Sequence, residues 1–123
     1  MTKSMRALVE LGYDNTITGT KIIEQAVMLV AKDPSLERSV SERLYILAAE
    51  AAGASPDSAP RLIRYATQKA MRKDWEARLE KVEAKYDIFG LKDELIVPSG
   101  YTSPKKLILM LAMALGESAG VEV

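Results

Sequence analysis

The chain has 123 residues with 17 basic and 17 acidic side chains, so it carries no formal net charge and is sized for one domain with a single core. It contains no cysteine and no histidine, which excludes a disulfide framework and a thiol nucleophile and removes the commonest general base and metal ligand. Its longest apolar run, Leu107–Leu115, is far short of the ~20 residues that span a bilayer, and no signal-peptide pattern opens the chain, so a cytoplasmic location is expected.

Met1–Tyr13 holds a short helical candidate with Leu8, Val9 and Leu11, ended by Gly12, and Asp14–Thr18 is expected to turn. Lys21–Lys32 is a stronger helix, with Ile22, Ile23, Ala26, Val27 and Val30 on one face. Asp33-Pro34 stops it, because the residue before proline is pushed out of helical geometry. Asp33 can then cap, and Pro34 open, a short helical turn over 34–38.

The next stretch, SVSERLYILAAEAAGASPDSAPRLIRYATQKAMRK, is the most informative in the chain. Val40, Leu44, Leu47, Ala48 and Ala51 fit one helix face. Ser39 and Glu42 have the S-x-x-E spacing of a capping box, in which each side chain serves an otherwise orphaned amide. Gly53 should end this helix in the left-handed conformation. A second helix follows, with Ala59, Leu62, Ile63, Ala66 and Ala70 on its apolar face and Asp57, Arg61, Arg64 and Gln68 in a polar stripe opposite. Small residues at Ala49 and Gly53, followed by Ala59 and Leu62, let two helices cross closely at a turn. That pattern predicts a helix-turn-helix over about 40–72, whose second helix would enter a DNA major groove.

After Lys73, Trp75, Leu79, Val82 and Tyr86 form a further helical stripe, with Asp74 and Arg78 in a favourable acid-first order on the charged face. One long helix over 58–87 and two helices with Asp74 capping the second both satisfy the pattern. Gly90–Tyr101 is expected to be a loop with a short extended piece at Leu95–Val97. Ser103-Pro104 should cap and open an apolar C-terminal helix over about 104–116. A helix apolar nearly all round is buried by its own domain or by a partner. The fold expected is all-α, a single domain of five or six helices over 1–123.

No phosphate-binding glycine loop, H-E-x-x-H or Ser–His–Asp set is present, so no catalytic residue, metal, cofactor or small-molecule substrate is expected. The charge distribution favours nucleic acid locally. Residues 54–73 hold five basic and one acidic side chain, an excess of four, while residues 74–94 hold four basic against seven acidic. Arg61 and Arg64 are forks suited to guanine or phosphate, and Gln68 to adenine or phosphate. Ser55, Asp57 and Ser58 stand where a helix start can hold a phosphate, and Lys69 and Arg72 flank the far end. Lys21, with Thr16, Thr18 and Thr20, is a weaker candidate for backbone contact. Double-stranded DNA is the expected partner, with a homodimer or an RNA polymerase contact as further candidates. The alternative is a helical protein-interaction module that kept the scaffold and lost readout.

Several runs carry a resemblance: LGYDNTITGTKIIEQAV (11–27), ERLY (42–45), AAEAAGASP (48–56), RLIRYA (61–66) and GYTSPKKLILMLAMAL (100–115). In order and spacing they resemble the C-terminal DNA-binding effector domain of the Firmicutes sporulation-initiation response regulator. The resemblance implies sequence-specific DNA binding in transcriptional control, with Arg61 and Arg64 at basic positions of the recognition helix. It also shows departures. Ser58 stands where the family has a base-reading arginine, Pro60 where it has a glutamate, and Asp74-Trp75 replaces a helix-breaking Gly-Asn. The family's own promoter box is therefore not assumed as the target. The family also carries a receiver domain for which this chain has no room, so a free-standing relative and an excised effector domain are both consistent.

Overall fold

The computed structural model describes residues 1–98, 100 and 102–123, without the side chain of Ser41. Among the described residues there are seven α-helices and no strand. They are α1 (Lys3–Glu10), α2 (Thr18–Lys32), α3 (Tyr45–Ala51), α4 (Ala59–Ala70), α5 (Trp75–Lys85), α6 (Leu91–Leu95) and α7 (Pro104–Leu115). The expected all-α architecture is observed.

α2 is the central element, in contact with α1, α3, α4 and α7. Its expected face is buried in full: Ile22, Ile23, Ala26, Val27 and Val30. The helix starts at Thr18, three residues before the expected Lys21, and packing decides the difference. Gly19 lies so close to α4 that an added Cβ would stand 2.1 Å from the Leu62 carbonyl oxygen. That approach holds the first turn of α2 in helical form against its neighbour.

Asp33 caps the short 3-10 turn Pro34–Ser39 by accepting from the Ser35 amide at 3.1 Å. The capping box at Ser39 does not form. Ser39 closes that 3-10 turn and is followed by a π turn over Val40–Leu44, so its hydroxyl makes no cap bond. The wider π turn also changes which residues face inward. Val40, Leu44, Ala48 and Ala49 are buried, whereas Leu47 is 39% exposed and Ala51 lies outside. Gly53 behaves as expected, at φ +75°, beyond the end of α3. The Ala54 amide donates to the Ala49 carbonyl at 2.8 Å and the Gly53 amide to the Glu50 carbonyl at 3.1 Å, the paired bonds of a Schellman end.

α4 and α5 are two helices. The break falls at Asp74, which adopts φ +54° and makes no side-chain cap bond, so it turns the chain rather than capping α5. Trp75, Leu79 and Val82 are buried as expected. Arg78 reaches not Asp74 but the Glu10 carbonyl at 3.3 Å. With Lys85 and Tyr86, which donate to the Glu10 carboxylate, it joins α5 to the end of α1.

The expected loop over 90–101 contains α6, whose Leu91 and Leu95 are buried, a short helix with too few turns to show a period. Ile96 is extended at φ −91° and ψ 109°, but no strand forms at 95–97. Ser99 and Tyr101 of that stretch lie outside the described residues. α7 is capped by Ser103, which accepts from the Lys106 amide at 3.4 Å. Leu107, Ile108, Leu111, Ala112 and Leu115 enter the core, while Met113 is 81% exposed. The buried residues form one cluster running from Ala7 on α1 to Ala119 beyond α7. No described helix is long and apolar enough to cross a membrane.

Candidate nucleic-acid interface

α3, the turn 52–58 and α4 stand in the order a helix-turn-helix requires. Ala49 and Ala59 are both fully buried, one on either side of that turn. Pro60 falls in the first turn of α4, where its missing N–H costs no intrahelical bond. Ala59, Ile63, Ala66, Thr67 and Ala70 face the core. Arg61, Arg64, Tyr65, Gln68 and Lys69 are left on the solvent side.

Arg61, Arg64 and Gln68 line one shallow cleft of about 450 Å³, together with Leu62 and Tyr65. Neither arginine has an ion-pair partner among the described residues, so both guanidinium forks are available. Two contacts hold α4 in place from behind. One is the approach of Gly19 to Leu62; the other is a buried hydrogen bond of 2.8 Å between the Tyr13 and Thr67 hydroxyls. Burial pushes the Tyr13 phenol well above its ordinary value, so it stays a neutral hydrogen-bonding group. Its ring meets Trp75 edge-on, with centroids 6.3 Å apart.

The remaining expected residues spread around this cleft. Ser55 and Asp57 are exposed and Ser58 half-buried in a short 3-10 turn, Pro56–Ser58, that leads into α4. The Ser58 amide is already bonded to the Ser55 carbonyl at 3.1 Å, and none of these side chains caps α4. Arg72 is exposed beyond the end of α4. Lys69 is exposed but engaged, 3.3 Å from the Asp14 carboxylate in the α1–α2 turn. Thr16, Thr18 and Lys21 are exposed near the start of α2, which packs beside α4. Thr20 is not available for backbone contact: it is fully buried, and its hydroxyl has no partner. Sequence reasoning left out Tyr65. The signal was its four-residue spacing from Arg61, masked because an aromatic on an amphipathic helix ordinarily belongs to the core. Among the described residues, no three acidic, histidine or cysteine side chains converge on a possible metal position.

The family model for the C-terminal domain of the sporulation initiation factor Spo0A matches residues 5–89, from α1 through α5. No curated protein and no solved structure matches the chain significantly. With more than half its length matched, including α3, α4 and the cleft on α4, the chain belongs to the Spo0A C-terminal family of DNA-binding domains from regulators of sporulation.

Proposed function

We propose that this chain binds double-stranded DNA sequence-specifically in transcriptional control, with α4 in the major groove and residues 1–123 acting as one unit. The observation that carries the reading is the cleft on α4. Two unpaired arginines and a glutamine share one exposed face of a helix whose opposite face is fixed in the core. A guanidinium fork matches guanine O6 and N7 in the major groove, and a side-chain amide matches adenine N6 and N7. Arg61 is assigned to base edges, Arg64 to a base or the backbone, and Gln68 to adenine or a phosphate. Arg72 and Lys21 hold phosphates, Lys69 does so only when its pair with Asp14 opens, and Ser55 and Ser58 are neutral backbone contacts near the helix start. Asp57 repels phosphate directly and so limits how closely the backbone approaches that turn.

The test separates base reading from holding. On a duplex selected from a random pool, Arg61→Ala should cost ~1–3 kcal/mol and relax preference at one base pair. Arg72→Ala should weaken selected and scrambled duplexes alike. Both side chains are exposed, so thermal melts should stay near wild type. Equal loss on both duplexes for Arg61→Ala would remove it from base reading.

A second reading, a helical interaction module, is favoured by one observation. Phe89 is 99% exposed and Met113 81% exposed, and both line the same small cleft. A contact made there with a second copy or with RNA polymerase would depend little on salt, whereas phosphate binding depends on it steeply.

A further inference from the structure

We propose that Tyr65 is a specificity-determining contact of α4, its ring packing against the C5-methyl group of a thymine in the major groove. This rests on the reading of α4 as the DNA-reading helix and adds a residue to it.

Tyr65 is a large aromatic side chain that remains 50% exposed on a helix with ample core to bury against. Helix geometry explains why. At about 100° per residue, Tyr65 lies about 40° from Arg61 around the α4 axis, closer than Arg64 at about 60°. It therefore borders the polar stripe, on the side of Arg61 away from Arg64. It shares the cleft with Arg61, Arg64 and Gln68, above the half-buried Leu62.

The chemistry of that position is distinct from its neighbours'. The arginines and Gln68 can match hydrogen-bonding edges of guanine and adenine, but none of them matches the thymine methyl group, the one apolar feature on the major-groove edge. An aromatic face does. It carries no charge to draw it toward phosphates at long range, so it acts only in close contact and contributes to discrimination rather than to general affinity. The start of the helix adds a reason. Ser58 is short and half-buried and Pro60 offers no polar group, so beyond Arg61 base contacts must come from further along α4, where Tyr65 stands.

The test replaces each thymine of the wild-type-selected duplex by deoxyuracil, which removes only the methyl group, and measures affinity for wild type, Tyr65→Ala and Tyr65→Phe. At one position under α4, the wild type should lose about fourfold, the value of burying one methyl-sized group. Tyr65→Phe should keep that penalty, because it keeps the ring. Tyr65→Ala should bind the thymine duplex more weakly and show no further loss with deoxyuracil. Thermal melts of the two variants check that α4 stays folded. A selected site without thymine under the helix, or a deoxyuracil penalty that persists in Tyr65→Ala, would overturn the proposal while leaving DNA reading intact. Failure of the wild type to select any duplex would overturn both.

Discussion

At the scale of single residues, the Asp14–Lys69 pair decides how much of the basic charge on α4 is free for DNA. Asp14 accepts from the Thr16 hydroxyl at 2.6 Å and from its amide at 2.9 Å, and faces Lys69 at 3.3 Å. The Thr16 bonds first, and then Lys69, hold its carboxyl down at about 2. A carboxyl whose folded value is lowered contributes stability above its ordinary value, near 4, and loses that contribution as pH falls toward 2. Asp14 therefore keeps its charge in any DNA-binding buffer. Asp14→Asn keeps an acceptor for Thr16 and releases Lys69. Its expected result is tighter binding to every duplex, with a salt dependence steeper by about one unit of log–log slope. An unchanged slope would mean that Lys69 touches no phosphate. This control was not legible in the sequence, because the partners are 55 positions apart and only the fold joins the α1–α2 turn to the end of α4.

At the scale of elements, the position of α4 depends on its contact with α2. Gly19→Ala would place a Cβ 2.1 Å from the Leu62 carbonyl oxygen, 2.7 Å from its carbonyl carbon and 3.0 Å from the Ala66 Cβ. Backbone cannot yield as a side-chain tip can, so α2 and α4 must separate, at a cost of about 3 kcal/mol. Gly53→Ala is the control: nothing lies within 4 Å of its added Cβ, and only the left-handed backbone opposes it, at about 1 kcal/mol. Chemical denaturation of the two variants should rank them in that order, and equal losses would contradict the close-contact account. Periodicity made the buried faces of α2, α4 and α5 legible, since each repeats over three turns or more. It did not reveal the reason for Gly19, the π turn at Val40–Leu44, or α6. The first is a long-range contact, the second a hydrogen-bond pattern set by packing, and the third a helix of five residues.

At the scale of the whole molecule, a neutral chain divides its charge by element. The turn, α4 and its flank are basic, and the segment 74–94 that follows is acidic, so zero net charge still permits a positive face. The two ends of the chain close on each other. The Lys3 amide donates to the Val121 carbonyl at 2.8 Å and the Val123 amide to the Met1 carbonyl at 2.9 Å, which ties α1 to the segment after α7. That Arg61, Arg64 and Gln68 share one exposed face was legible because one amphipathic helix carries all three. Tyr65 and the sequestered Thr20 became clear only once burial was known. The most direct test of the account is the affinity of the wild-type chain for its selected duplex and for a scrambled one, measured across a range of salt concentrations. The account predicts a log–log slope of about −4 on the selected site, as four or so phosphate contacts require, with the selected duplex preferred at every salt concentration. A flat salt response, or equal affinity for the two duplexes throughout, would contradict it.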